Sequence, residues 1–212
     1  MTGPEVAAGS PFCRPARPPS SRRFVATLDR ALREVAALDL AVYDAVAGTP
    51  SPTLDPALAR ISNAANRSRV WLVVAGALCP FGTRPRRAAL VGVAAVGATS
   101  AVVNLAVKPA LTRGRPSRAE SSRTQRVRMP TSRSFPSGHA ASAFAFSSAV
   151  GGELATLSTP LRLAATTVAY SRVHTGVHYP GDVVIGALIG AGMGTATRLL
   201  AHRVAPSFIS DG

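Results

Sequence analysis

Two histidines, an arginine and an aspartate stand close together between two apolar segments, within residues 171–182. Ionisable side chains next to hydrocarbon are costly and usually carry a function. His178 and Asp182 have the types and spacing of a nucleophile or base with a carboxylate that orients it. Arg172 suits the binding of an anion. The alternative is a polar loop between two helices, and this stretch alone does not decide between the two interpretations.

A second polar group, the sequence SFPSGH, runs directly into another apolar segment that is predicted to be a helix. Ser137 is a suitable N-cap, and Gly138 lets the backbone approach a ligand. The free amides at the start of this helix would point at an anion. Lys108, the only lysine of the chain, and Arg115 add positive charge from the preceding loop. Together with Arg172 these groups form a set of donors suited to phosphate.

Two histidines fit the two roles that cleavage of a phosphate ester requires. His178 could attack phosphorus with Asp182 on its other ring nitrogen, and His139 could protonate the leaving alkoxide. Cations and helix-end amides would stabilise the charge on the equatorial oxygens. This scheme requires no metal ion or other cofactor, and the sequence contains neither the CxxC nor the HExxH pattern that would predict a zinc site.

Three motifs follow each other along the chain. Lys108 and Arg115-Pro116 form K-x6-R-P, residues 136–139 form P-S-G-H, and residues 171–182 form S-R-x5-H-x3-D. Over about residues 70–200 this pattern resembles the three-part signature of the type 2 phosphatidic acid phosphatase superfamily. The resemblance implies an all-helical bundle and metal-independent dephosphorylation through a phosphohistidine. It also implies a set of residues that contact phosphate: Lys108, Arg115, Ser137, Gly138, His139 and Arg172.

The same signature is similar to that of vanadium-dependent haloperoxidases and of soluble acid phosphatases. A lipid phosphatase is favoured because the apolar segments would hold the reactive loops at the surface of a bilayer. The substrate stays open among phosphatidate, phosphatidylglycerol phosphate, a polyprenyl diphosphate and a polyprenyl-phosphoryl sugar phosphate. The alternatives are a haloperoxidase-like enzyme and a non-catalytic basic membrane scaffold, although a scaffold leaves the three spacings unexplained.

The composition favours a membrane protein. Of the 212 residues 47% are hydrophobic, yet the formal net charge is +14. The arginines lie mostly in connectors between apolar blocks, which argues against nucleic acid as a partner. Expected partners are a lipid phosphate substrate and membrane lipids, in a multi-pass protein of the cell membrane. Counting positive charges in the connectors favours the cytoplasmic face for the site.

The elements that must position these groups are helices. Hydrophobic periodicity and the lengths of the apolar runs predict five to six core helices plus an amphipathic N-terminal helix, and the resemblance implies that they form an all-α, integral-membrane bundle. Residues 1–23 are predicted to be a disordered basic tail, 24–69 amphipathic or interfacial helices, 70–203 the transmembrane core and 204–212 a C-terminal tail. The N-terminal helix is too charged to span, so it lies on the membrane surface or packs on the bundle.

Within the core, helices are predicted over these ranges: 70–81, 88–107, 139–157, 161–170 and 183–200. A turn is expected at Ser158–Pro160, between the third and the fourth of them. Counting crossings then brings loops 108–138 and 171–182 to the same side, where they can form one site. In the last helix Gly186, Gly190 and Gly194 form a ridge typical of close packing inside a bundle, with a homodimer as the alternative.

The other ionisable residues near the motifs receive no catalytic role. His174 is expected to be a hydrogen-bonded or solvated loop histidine, and His202 an interfacial one. Arginines of the long loop are expected to form a solvated face that suits anionic lipid head groups: Arg113, Arg118, Arg123, Arg126, Arg128 and Arg133. Arg133 and Ser134 lie close enough to the second motif for a secondary role.

Overall fold

The chain is all-α, as predicted. A computed structural model describes these residues: 20–49, 51–111, 113–116 and 127–204. Within these ranges no β-strand occurs. The predicted N-terminal tail up to residue 19, the middle of the arginine-rich loop and the predicted C-terminal tail from residue 205 lie outside the described residues.

Eight helices follow each other in the described ranges: α1 Ser20–Gly48, α2 Leu54–Ala64, α3 Arg69–Leu78, α4 Thr83–Ala101, α5 Lys108–Ala110, α6 Gly138–Glu153, α7 Ala155–His174 and α8 Pro180–Val204. The π-helical segment Val102–Val107 joins α4 to the single turn α5, so one helical stretch runs from Thr83 to Ala110. This stretch of 28 residues and α8 with 25 residues are long and apolar enough to cross a membrane.

Two compact units divide the chain, one of residues 1–38 and one of residues 39–212. The described part of the first unit is helical and belongs to α1. The second unit contains the C-terminal part of α1, helices α2 to α8 and every residue of the three sequence motifs.

Helix α6 is central to the second unit, where it packs against α4, α7 and α8. Most of its residues are alanine, serine or glycine, so the neighbouring helices can approach its backbone. Phe146 is its large buried side chain, and its ring lies 5.5 Å from that of Trp71 on α3. This aromatic pair anchors the main hydrophobic cluster, which α3, α4, α6 and α7 share.

The three glycines of the predicted ridge in α8, Gly186, Gly190 and Gly194, face α6 and are buried. A Cβ atom at Gly186 would lie 2.5 Å from the carbonyl oxygen of Ser137, and one at Gly190 or Gly194 would clash with the carbonyl of Ala141 or Ala145. The ridge is therefore in contact with a helix of the same chain, which is the bundle packing expected for it. A homodimer stays a prediction.

The predicted turn at Ser158–Pro160 is wrong. Helix α6 ends at Glu153, the break falls at Leu154, and α7 begins at Ala155 and contains Pro160. Since Pro160 lies near the start of α7, the helix loses one backbone hydrogen bond there and continues. The predicted loop of residues 171–182 is therefore not one continuous loop, because α7 extends to His174 and α8 begins at Pro180.

Glu153 is the last residue of α6, at the end of the helix opposite to the second sequence motif. Its buried carboxylate contacts Arg87 of α4 and His202 of α8. The side chain of Arg84 also donates to the Glu153 carbonyl oxygen, at 3.0 Å. This cluster holds α4, α6 and α8 together at one end, and His202, expected to be interfacial, is one of its members.

We expect Gly190→Ala to destabilise the bundle by about 1–3 kcal/mol, because the new methyl group meets backbone atoms of α6 that have no room to move. Gly192→Ala is the matched control on the same helix, since a Cβ atom there meets nothing within 4 Å. Thermal unfolding in detergent micelles, followed by the fluorescence of Trp71, measures both variants. Equal unfolding midpoints for the two variants would contradict the packing described here.

Candidate active site

His178 is held at both ring nitrogens. Its Nδ1 atom lies 3.3 Å from Oδ2 of Asp182, and its Nε2 atom lies 3.2 Å from Nη1 of Arg115. A guanidinium can only donate, so Nε2 accepts and the ring proton is on Nδ1, where Asp182 accepts it. Gly176, with φ of 69°, makes the turn that returns the chain, and the backbone N–H of His178 donates to the carbonyl of Arg172 at 3.2 Å.

The surroundings of His178 keep its ring uncharged. Burial lowers the pKa of His178 to about 4, because the imidazolium would lose its hydration. The hydrogen bond to Asp182 opposes this shift, whereas the charges of Arg115 and Arg172 add to it. At pH 7 the ring is therefore neutral, and Nε2 carries a lone pair.

Asp182 is fully buried in the first turn of α8 and accepts several hydrogen bonds. The hydroxyl of Ser134 and the backbone N–H of Tyr179, at 3.0 Å, donate to Oδ2, the same oxygen that faces His178. Arg113 donates to Oδ1 at 2.9 Å. These donors, with the positive end of the helix dipole, stabilise the carboxylate in its ionised form and fix its orientation.

Arg113 connects Asp182 to the C-terminal part of α1. Its Nη2 atom lies 2.5 Å from Asp39, and its guanidinium lies 4.2 Å from the ring centroid of Tyr179. Asp39 also accepts the backbone N–H of Gly181 at 2.6 Å. The expectation that Arg113 belongs to a solvated face is wrong, because two buried carboxylates pair with it.

Arg115 crosses from the first motif to the third. Besides its contact with His178, Nη1 donates to the carbonyl of Val177 at 2.7 Å. On the other side its Nε atom donates to the carbonyl of Ser132 at 2.8 Å. These bonds fix the guanidinium of Arg115 beside Nε2, the ring nitrogen of His178 that carries no proton.

Lys108 reaches the start of α6 from the end of the α4–α5 stretch. Its Nζ atom lies 3.5 Å from the hydroxyl of Ser132 and would lie 3.8 Å from a Cβ atom at Gly138. Arg133 donates to the backbone carbonyls of Lys108 at 3.0 Å and of Pro109 at 2.8 Å. Arg133 therefore supports the backbone that carries the lysine.

The second motif forms the start of α6. Ser137 is its N-cap, and its hydroxyl accepts from the backbone N–H of Ala140 at 3.5 Å. The backbone N–H of Ser137 donates to the carbonyl of Asp182 at 2.9 Å, which joins the second motif to the third. Gly138 and His139 are the first two residues of the helix.

Two predicted site residues are held by the segment at the end of α2. His139 places Nε2 at 3.0 Å from Oδ1 of Asn66, and Arg172 donates from Nη1 to the hydroxyl of Ser62 at 2.5 Å. Arg172 lies in the last turn of α7, is buried, and still acts electrostatically on His178. All eight residues predicted for the site thus belong to one connected region of the second unit.

His174 is the remaining histidine of the third motif's segment. It lies at the end of α7 rather than in a loop, is buried, and pairs through Nε2 with Asp55 of α2 at 2.8 Å. It is therefore the hydrogen-bonded histidine that was expected as one alternative.

Sequence reasoning missed Asp39, Ser62 and Asn66, and gave Ser134 only a secondary role. One signal for Asp39 was available, because this carboxylate interrupts the apolar stripe of α1 one turn after Val35 and one turn before Tyr43. Serine and asparagine at the end of a short helix carry no comparable signal. Among the described residues, no group of three or more His, Cys, Asp and Glu side chains is arranged to hold a metal ion.

The helical bundle brings together an imidazole with its carboxylate, three cations and a capped helix start, an arrangement suited to binding a phosphate group. The sequence profile of the PAP2 superfamily matches residues 88–205, and the chain belongs to that superfamily.

One curated protein is similar in sequence, and two solved structures are similar in fold. The lipid A 4'-phosphatase of Bacteroides thetaiotaomicron is 34% identical over 115 residues, which is 51% of this chain and 51% of that protein, so the chain matches about half the length of this relative. The crystal structure of LpxE from Aquifex aeolicus superimposes with a TM-score of 0.61 at 27% identity, over 76% of this chain and 94% of that one. The transmembrane PAP2 type phosphatidylglycerolphosphate phosphatase from Bacillus subtilis gives 0.63 at 22% identity, over 87% and 96%.

We expect the imidazole of His178 to titrate with a pKa of about 4, compared with an ordinary value of about 6.5. Because the folded value is the lower one, the neutral ring favours folding above pH 6.5, and this contribution is lost as the pH falls toward 4. Arg115→Gln should raise the pKa, since it removes a positive charge next to Nε2. Nitrogen NMR of histidine-labelled protein measures the titration, with Arg162→Gln as control. An unchanged pKa in Arg115→Gln would contradict the contact.

Proposed function

We propose that the protein is a metal-independent, multi-pass membrane phosphatase that hydrolyses the phosphate ester or diphosphate of a lipid through a phosphohistidine. The observation that carries this proposal is the environment of His178, with Asp182 on Nδ1 and Arg115 beside a neutral Nε2. A buried, neutral histidine with a fixed tautomer can attack through the lone pair of Nε2, the atom that Arg115 contacts.

In the first step Nε2 of His178 attacks phosphorus, so that a P–N bond forms and the P–O bond to the lipid breaks. His139 enters this step as the imidazolium, a form that the negative charge of the bound phosphate favours, and donates a proton to the leaving alkoxide, which leaves the His139 ring neutral. The imidazole becomes positively charged in this step, and Asp182 stabilises that charge from Nδ1. In the second step water attacks the phosphohistidine, His139 takes a proton from the water, and release of phosphate restores neutral His178.

The phosphoryl oxygens are bound by positive charge and amides in this scheme. The ammonium group of Lys108 lies near the start of α6, and Arg115 lies beside the attacking nitrogen of His178. Arg172 lies in the last turn of α7 and is buried. Ser137 and Gly138 supply the helix-end amides, which need no reorganisation as charge develops. These cations and dipoles can stabilise the transition state without a metal ion.

Two similar proteins support a lipid substrate, since one is a lipid A 4'-phosphatase and the other a phosphatidylglycerolphosphate phosphatase. The two helical stretches of spanning length support a location in the membrane. A site at the end of such helices can bind the phosphate group of a lipid while the tail of that lipid stays in the bilayer.

Phosphate release from a panel of phospholipid and prenyl phosphates by the full chain in detergent tests the proposal. We expect release in the presence of EDTA, and a decrease of at least about a thousandfold for His178→Ala because the nucleophile is lost. His202→Ala removes a histidine from the opposite end of the bundle and serves as the control. Rapid acid-free quenching with radiolabelled substrate should trap label on wild-type protein but not on His178→Ala. Full activity of His178→Ala would refute the mechanism.

Arg113→Gln should lower kcat about tenfold to a hundredfold with a smaller change in KM, because Asp182 loses the donor that fixes its second oxygen. Arg113 acts through Asp182 and is a positioning residue. Arg128→Gln, an exposed arginine of the same loop, is the matched control. Steady-state kinetics on the best substrate of the panel distinguishes the two constants, and equal kcat values for both variants would contradict the role given to Arg113.

A further inference from the structure

A cavity of about 190 Å³ opens beside His139. Lys108 and Gly138 line it together with His139, but its described lining includes neither His178 nor Asp182. In an in-line displacement the leaving oxygen lies opposite the nucleophile and next to the general acid. If the mechanism proposed above holds, the cavity is on the side of the leaving alcohol.

The wall of this cavity is rich in hydroxyl and amide groups, although α4 and α6 consist mainly of alanine, valine and glycine. Thr99 and Ser100 line it from α4, Asn104 from the π-helical segment, and Ser142 from α6. The hydroxyls of Ser100 and Ser142 are 3.5 Å apart, at the limit of a hydrogen bond. Asn104 uses its amide nitrogen to donate to the Ser100 carbonyl at 2.9 Å.

Thr99 is the most informative member of this wall. Its side chain is fully buried, and its Oγ1 atom has no hydrogen-bond partner among the described residues. Burying a hydroxyl without a partner costs free energy, so such groups in proteins usually meet a ligand or water. Valine would fill the same space without that cost.

From this wall we infer that the cavity is the subsite for the leaving alcohol and that this alcohol carries hydroxyl groups, as a glycerol or a sugar does. The inference rests on the proposed function. The volume is below the roughly 300–1,000 Å³ of cavities that hold drug-sized ligands, so it suits one glycerol or one monosaccharide. The acyl chains of a diacylglycerol would leave the polar wall unpaired, and a site built to bind hydroxyls discriminates strongly against such groups.

Four probes with the same terminal phosphate test the subsite in detergent micelles. Phosphatidylglycerol phosphate and a polyprenyl-phosphoryl pentose phosphate release hydroxylated alcohols, whereas phosphatidate and a polyprenyl diphosphate do not. We expect wild-type kcat/KM to be at least about tenfold higher for one or both hydroxylated probes. A preference for phosphatidate or for the diphosphate would overturn the inference.

The variants Thr99→Val and Ser142→Ala, singly and combined, remove hydroxyls with little change in shape. The combined variant should lower the preference for hydroxylated probes about tenfold, while Thr99→Ser, which keeps the hydroxyl, should retain it. Matched controls outside the cavity are Thr167→Val on α7 and Ser147→Ala on α6, whose hydroxyls bond to backbone carbonyls of their own helices.

The results separate the subsite from the proposed function. An unchanged preference in the combined variant, with phosphate still released, would overturn the subsite alone. An equal loss on all four probes would assign the two hydroxyls to stability and would also overturn it. Absence of release from every probe by the wild-type protein would overturn the proposed function and, with it, the subsite.

Discussion

The contact between the backbones of α6 and α8 is the constraint on which the site depends. At Gly186 the two chains are so close that a Cβ atom would lie 2.5 Å from the carbonyl of Ser137. Because no side chain separates them, the N–H of Ser137 reaches the carbonyl of Asp182 at 2.9 Å. The helix start that offers amides to an anion is thereby joined to the residue that orients His178, and backbone contacts cannot change by a simple rotamer flip.

Near this contact, positive and negative side chains alternate from the C-terminal part of α1 to Asp182, the carboxylate beside His178. Asp39, Arg113 and Asp182 form a row in which one half-buried guanidinium lies between two buried carboxylates. Buried ion pairs contribute little net stability, because desolvation offsets their attraction. Their value here is geometric, since they hold a charged Asp182 beside a ring that burial, together with the nearby arginines, keeps neutral.

Sequence patterns predicted the parts of the site that a short motif encodes. The spacing of His178 and Asp182, one turn apart, and the N-cap at Ser137 are local features, and both occur as expected. The partners of Arg113 were not predictable in this way, because they lie 69 and 74 residues away along the chain. Pro160 misled the prediction of helix ends, since proline is compatible with a helix near its beginning.

The row of charges also determines when the site can exist during biosynthesis. Asp39 contacts the backbone of Gly181 across 142 residues of sequence, so the earliest and the latest parts of the second unit must both have left the ribosome. Chains are made from the N-terminus, and α8 is the last helix described. A nascent chain without α8 lacks Asp182, and with it the carboxylate that contacts His178, Ser134 and Arg113. On the proposed mechanism, the site can therefore act only once α8, the last described helix, is in place.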